Sequence, residues 1–346
     1  MANSAYISAL AQREKENLWV MQVFSSILSR DAPLFSAEEI LRFAKDAFIS
    51  DHEALLCLLS AACGLEPDRS PAHRRLEMEY LSPTVVRLSE KELADNDYVK
   101  TVRFPDAALH GWQFARQAYQ PFELFPCGSP ALQNDGRVLP KIGYFPCSVA
   151  FPSVLENGRE WMAVKPNEIA TMASPVAAAQ GRCAVFGLGL GYFAFMAAQK
   201  REVKSVFVIE RDRAAIELFQ TRLLPQFPHR EKIRVVQADA YDFAKRRLNA
   251  SDFDFAFFDL WHDVSDGVKA YLRLRRMEKD YPALPCRYWI EQDILLFLRS
   301  LMIDDALHHA GRLDRLLPED EKRLPHALTL PEIRKIAPCI SPEDVE

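Results

Sequence analysis

The sequence has no excess of positive charge. Its 43 lysines and arginines face 48 aspartates and glutamates, for a net charge of -5. No global field therefore draws the chain to nucleic acid, although a local basic patch stays open. A long apolar run is also missing. The longest, ALLCLLSAACGL from Ala54, is shorter than the roughly 18 residues of a membrane span, so no membrane partner is expected. There is no CxxC pair. Seven cysteines, an odd number, make neither a disulfide framework nor a zinc knuckle. The N-terminus lacks the pattern of an export signal, because Arg13, Glu14, Lys15 and Glu16 interrupt it early. Together these absences predict a cytoplasmic protein with reduced thiols. No internal repeat is visible, and nothing sets the oligomeric state.

What is present suits a globular chain of about two domains with an ample core: 346 residues, 49% hydrophobic and 26% charged. From Ala2 to about Leu65 apolar residues recur at helical spacing. In SAEEILRFAKDAF, Ser36 reads as an N-cap with Glu39 three positions on. PTVVRL and YVKTVRF read as short strands within a mixed stretch. Residues 1–125 are thus expected to form a mostly helical accessory domain. Between Pro126 and Pro166 prolines and glycines cluster, and Asn134-Asp135-Gly136 and Asn157-Gly158 are hairpin signals. Residues 126–165 read as a β-hairpin linker.

Residues 166–346 alternate strand and helix. CAVFGL, SVFVIE, KIRVVQAD, FDFAFFDL and CRYWIE are short apolar runs. They do not alternate polar with apolar, as expected for a parallel sheet covered on both faces. Helical segments such as GYFAFMAAQK, RAAIELFQTRLL and AYDFAKRRL follow them. The fold class predicted is α/β, a Rossmann-like doubly wound sheet with a helical C-terminal extension.

CAVFGLGLGYFAFMA, residues 183–197, breaks from strand to helix through three glycines. Glycines there let a ligand approach the backbone and aim N–H groups at it. Gly189, Gly191 and Ala194 fit the dinucleotide pattern G-x-G-x-x-A, and a tight turn without any ligand fits as well. The acids downstream narrow the choice. Glu210, Asp239 and Asp259 end three successive predicted strands. Carboxyl ends are where doubly wound sheets bind ligands, and a carboxylate at Glu210 can accept both ribose hydroxyls.

The pieces VFGLGLG, VIERD, VVQADAYDF and FDFAFFDL resemble the class I S-adenosylmethionine-dependent methyltransferases over roughly residues 166–295. The resemblance implies S-adenosylmethionine over the carboxyl edge of a Rossmann-like sheet. Gly187, Gly189 and Gly191 would lie near the methionine portion, Glu210 and Arg211 at the ribose, Asp239 and Ala240 at the adenine. Asp259 would sit beside the reacting group. A nicotinamide site shares the first two features without needing Asp239. The hairpin segment together with WMAVKPNEIATM is similar to the spermidine synthase branch, where a D-x-x-D element follows the fourth strand. Here that element reads Asp259-Leu260-Trp261-His262, so histidine replaces the second acid and removes a carboxylate from where a cationic amine would be held. Aminopropyl transfer and a binding protein without turnover are the alternatives to methyl transfer. The motifs name no acceptor, small or macromolecular, and the helical N-terminal region lies outside the resemblance.

Methyl transfer from a sulfonium needs an aligned acceptor and, for an O–H or N–H group, a base. In DLWHDVSDG, Asp259 is the candidate to orient the acceptor and His262 the candidate base. Trp261 would wall the site. The same loop can be purely structural, with His262 and Asp263 bonded to backbone and Trp261 in the core. No resident metal is expected. Asp259 with Glu291-Gln292 imitates the oxygen set of metal-assisted methyltransferases with longer side chains. Glu168 and Thr171 in PNEIATM can close over the cofactor or serve as ordinary capping and packing residues. Lys245-Arg246-Arg247 and the group Arg273, Arg275, Arg276 read as solvated helix faces, and His308-His309 as structural.

Overall fold

A computed structural model describes residues 2–308 and 328–345. His309 lies outside the described residues and His308 is described by its backbone alone. The chain forms two units interleaved in sequence: Met1–Leu93 with Gln117–Ala150, and Ala94–Arg116 with Phe151–Glu346. The boundaries read from sequence texture, at 125 and 165, differ for a physical reason. Most of the proline- and glycine-rich stretch packs its short strands with the N-terminal helices instead of forming a separate linker.

In the first unit, α1 (Ala2–Leu28), α2 (Ala37–Ala47) and α3 (Asp51–Ala62) precede five short strands. Ser36 and Ser50 each cap a helix and receive Glu39 or Glu53 in return. Such caps stabilise by about 1 kcal/mol each. Val20, Phe24, Ile40, Leu55, Leu59 and Tyr80 lie in one apolar core. The sheet places β5 (Ile142–Tyr144) between β1 (Val85–Arg87), parallel to it, and β2 (Phe125–Pro126), antiparallel. Asn134-Asp135-Gly136 lies in the turn between β3 (Ala131–Leu132) and β4 (Val138–Leu139).

The second unit opens with a correction. YVKTVRF is no strand: Asp97–Thr101 is helical, because the Asn96 side chain accepts the Tyr98 and Val99 N–H groups and overrides the β preference of valine and tyrosine. Tyr98 is fully buried and donates its hydroxyl to the Leu190 carbonyl at 2.6 Å. Then β6 (Val149–Glu156) and β7 (Arg159–Ala163) pair as an antiparallel hairpin. Asn157 (φ 51) and Gly158 (φ 83) make its turn, and the left-handed backbone at both explains the Asn-Gly choice.

After α4 (Pro166–Ala178) come β8 (Gly181–Phe186), α5 (Tyr192–Ala198), β9 (Val203–Glu210) and α6 (Arg213–Leu218). The series continues with β10 (Ile233–Gln237), α7 (Ala240–Arg247), β11 (Phe255–Phe258), α8 (Val264–Met277), β12 (Cys286–Tyr288) and α9 (Glu291–His308). All five sheet strands are parallel, in the order β10-β9-β8-β11-β12. This is a mixed α/β fold with a Rossmann-type doubly wound sheet. Strand order reverses between β8 and β11, the switch point where such sheets bind ligands. Phe186 stacks on Phe258 at 4.4 Å and Phe258 on Tyr288 at 5.1 Å, tying β8, β11 and β12 through aromatic contacts worth about 0.5–1.5 kcal/mol each.

Arg275 and Arg276 correct the expectation of a solvated face. Arg275 pairs with Glu278 and Arg276 donates to the Ile340 carbonyl at 2.8 Å, so both tie down the end of α8. Lys245, Arg246 and Arg247 are exposed as read. Among the described residues no helix is long and apolar enough to cross a membrane.

Candidate active site

Backbone bonds at the carboxyl edge of the sheet line up the predicted residues. Ala238 N–H donates to the Glu210 carbonyl, Gly187 N–H to Ile209, Asp259 N–H to Phe186 and Trp289 N–H to Phe258. Read across the strands, the edge therefore runs Asp239, Glu210, Gly187, Asp259, Trp289. A cleft of about 360 Å³ opens over it. Gly187, Gly189, Glu210, Arg211, Asp239, Ala240, Asp259 and His262 all line that cleft.

Gly191 stands apart from the cleft wall. It opens α5, and the Phe219 ring fills the place a Cβ would take. Gly187 has φ 102, and a Cβ there would collide with the Asp259 carbonyl oxygen. The glycine turn also uses its donors internally. Leu188 N–H reaches Glu210 Oε2 at 3.3 Å and Leu190 N–H reaches Met162 Sδ at 3.3 Å. The Met162 sulfur lies where a Cβ on Gly189 would be. These glycines serve close packing around the cleft more than a cradle of free N–H groups.

Glu210 is held in place by its own turn. Besides Leu188 N–H, Oε1 accepts Arg211 N–H at 2.7 Å and Asp212 N–H at 2.8 Å. Asp239 caps α7 by accepting Asp242 N–H at 2.9 Å, which leaves its other oxygen to the cleft side. Tyr241 follows on the cleft wall, with the Arg273 guanidinium 3.9 Å from its ring centroid.

At the other end the sequence reading named Glu168 but missed Trp161 and Met162 on β7, Lys165 before α4 and Trp289 after β12, all of which line the cleft with Asp259 and Trp261. Trp289 Nε1 donates to Thr171 Oγ1 at 3.0 Å, and that hydroxyl donates to the Asn167 carbonyl at 2.9 Å, so Thr171 positions the indole. The signal available was an aromatic residue at the carboxyl end of the fifth strand, in CRYWIE. His262 lies at the rim with its side chain 46% exposed, Nδ1 3.5 Å from Asp266 Oδ2. Its ring meets Trp161 edge-on at 4.2 Å. Asp263 caps α8 with Asp266 as the return partner. Trp261 is buried and packs against Gly267.

Five carboxyl groups line the cleft, Glu160, Glu168, Glu210, Asp239 and Asp259, against the cations Lys165 and Arg211. Lys165 is already paired with Glu160 at 2.5 Å. Burial pushes the Asp259 carboxyl well above the usual aspartate range, and the nearby Glu168 carboxylate adds to the shift. Burial likewise carries Glu168 up to about 7, with Lys165 opposing and Glu160 assisting. Glu291 and Gln292 do not line the cleft. The Glu291 carboxylate instead accepts Tyr271 at 2.9 Å and meets Arg334 at 3.1 Å. The oxygen set of Asp259 with Glu291-Gln292 is therefore not assembled.

No protein-family model and no curated protein matches the chain. Solved structures similar to it include a spermidine synthase from Thermotoga maritima, at 16% identity and a TM-score of 0.29. That likeness covers 39% of this chain and 45% of the synthase. They also include MnmC2 from Aquifex aeolicus, at 13% identity and a TM-score of 0.28, covering 72% of this chain and 92% of that one. The chain thus spans less than half the length of the spermidine synthase.

The arrangement itself is an acidic cleft with a glycine turn in the middle, hydrogen-bond acceptors toward Asp239 and tryptophans toward Trp289. Chemically it suits an elongated ligand carrying hydroxyls at one end and a positive centre at the other.

Proposed function

We propose that the chain binds S-adenosylmethionine in this cleft and transfers its methyl group to an acceptor entering between the tryptophans. One observation carries the reading: Glu210, Asp239 and Asp259 end three strands and open onto one cleft beside the glycine turn. From Asp239 to Asp259 is three strand spacings, roughly 14 Å, room for a nucleoside with an amino-acid arm. Glu210 holds the ribose hydroxyls, Asp239 the adenine amino group, and Asp259 stands beside the sulfonium. When bound, the cofactor supplies an electrophilic methyl carbon. The protein's part is to align the acceptor, exclude water with Trp161, Trp261 and Trp289, and take up a proton.

Aminopropyl transfer is the second reading. It is favoured by Glu160 and Glu168, which add carboxyl groups near Asp259 where histidine had replaced the acid of the D-x-x-D element. Calorimetry with S-adenosylmethionine, S-adenosylhomocysteine and NAD tests the site. The expected result is binding of the first two only, and NAD binding alone overturns the assignment. Decarboxylated S-adenosylmethionine bound much more tightly than the carboxylated form would decide for the second reading.

A further inference from the structure

We infer that Tyr98 is a positioning residue for the cofactor's amino-acid arm. From outside the cleft it holds the glycine turn in the shape that receives that arm. This rests on the cofactor reading above and adds to it a residue that touches no ligand.

The turn has little stiffness of its own. Gly187, Gly189 and Gly191 have φ of 102, 50 and 73, and glycine loses more conformational freedom than any other residue when it is fixed. One bond is internal, from Gly191 N–H to the Leu188 carbonyl at 2.8 Å. Other holds come from side chains distant in sequence. Leu188 N–H reaches Glu210, and the Leu190 residue is gripped on both sides. Its N–H meets Met162 Sδ at 3.3 Å, and its carbonyl accepts the Tyr98 hydroxyl at 2.6 Å. Leu190 is fully buried, so a lost donor is not simply replaced by solvent.

Glu210 and Met162 line the cleft and can meet a ligand themselves, whereas Tyr98 does not line it. The Tyr98 ring is fully buried, 5.1 Å from Phe195 and 5.4 Å from Tyr192 between centroids. The short helix that carries it is fastened at both ends. Asn96 caps it through Oδ1 and donates Nδ2 to the Tyr192 hydroxyl at 3.0 Å. Beyond the other end Arg103 N–H donates to Gln226 Oε1 at 2.8 Å, and Gln226 Nε2 donates back to the Arg103 carbonyl at 2.8 Å. The hydroxyl is therefore delivered to Leu190 from a fixed point. A turn already held in its bound shape spares the ligand the entropy of ordering it. Without the hydroxyl that ordering falls on the ligand, and only the part lying on the turn feels it. In the cofactor reading that part is the methionine arm, since the nucleoside lies toward Glu210 and Asp239.

The test needs no acceptor. Calorimetry compares the full wild-type chain with Tyr98→Phe, which keeps the ring and removes only the hydroxyl. The ligands are S-adenosylhomocysteine and 5′-methylthioadenosine, which keeps the nucleoside and sulfur but lacks the amino-acid arm. The substitution should weaken the first by about tenfold and the second by less than about twofold. A merely structural role would weaken both alike or neither. Either result overturns the inference and leaves the cofactor reading intact. Should Tyr98→Phe fail to fold, hydrogen exchange on the wild-type protein decides. The amides of Leu188, Gly189, Leu190 and Gly191 should be as protected without ligand as with S-adenosylhomocysteine. Protection that arises only with ligand overturns the inference. Binding of neither ligand by the wild-type protein overturns the cofactor reading, and this inference with it.

Discussion

Each unit of the chain buries a cluster of ionisable groups, and the two clusters are built on opposite plans. In the first unit Glu16, 5% exposed, accepts from Gln12, Arg13, Arg75 and Tyr80. Burial pushes its carboxyl up, but these hydrogen bonds outweigh burial and hold it below the usual glutamate range. In the second unit Asp259 and Glu168 line one cleft, and burial raises both carboxyls. A buried acid answered by cations is part of the framework. A buried acid without such an answer is pushed toward its neutral form. Glu210 stands between the two, answered among the described residues by backbone N–H groups and open to the cleft.

If that ranking is right, removing the acids should have graded and opposite effects. The largest is expected at Glu16. Glu16→Ala removes the shared buried acceptor of Arg13, Arg75 and Tyr80. Among the described residues that leaves the two arginines only Glu79 and the Tyr80 hydroxyl only a long contact to Asn17 as acceptor, and urea unfolding should show a loss of about 2–4 kcal/mol. Because the folded carboxyl is lowered, its contribution is complete above the ordinary glutamate value and fades as pH falls through the folded one. A loss below about 0.5 kcal/mol, the scale of an ordinary surface change, would break the contrast.

Next comes Glu210→Ala, read by calorimetry with S-adenosylmethionine. Deleting a charged hydrogen-bond partner should weaken binding by about 1.5–3 kcal/mol. Unchanged affinity in a folded variant would remove Glu210 from the ribose. The smallest effect has the opposite sign. Glu168→Gln removes a charge that the fold resists, so stability should rise by about 1–2 kcal/mol near pH 8 and not near pH 5. The sign follows from the raised carboxyl: in the wild-type protein stability is fullest below the unfolded glutamate value and declines as pH climbs through about 7. A variant no more stable than wild type at the higher pH would show that the cleft hydrates Glu168 well.

The contrast also explains what the sequence could reveal. Local chemistry was readable where a few adjacent residues decide the outcome. Ser36 and Glu39 announce their capping box, Asn157-Gly158 its turn, and the unalternating apolar runs the parallel sheet. The Asp97–Thr101 helix was misread because one cap at Asn96 outweighs the preferences of the residues after it. At the site, residues at strand ends were readable, because a parallel sheet brings all carboxyl ends to one edge. Trp161, Met162 and Glu160 were not, since the hairpin carrying them reaches the cleft through tertiary packing that no spacing encodes. Glu168 was noticed, but its place in one cleft with Asp259 spans 91 positions of sequence, far beyond any local pattern. Gly191 matched a motif and serves the Phe219 ring.

The hydrogen bond from Trp289 to Thr171 joins residues 118 positions apart, the helix ahead of the first strand of the parallel sheet to the end of its last. On a ribosome the chain emerges in that order, so the strands that lead to Glu210 and Asp239 are made before Trp289 can reach Thr171. A nascent chain can thus assemble the Asp239 end of the sheet edge before the Trp289 end is anchored, and the indole closing onto the threonine hydroxyl ties the last strand to the helix ahead of the first.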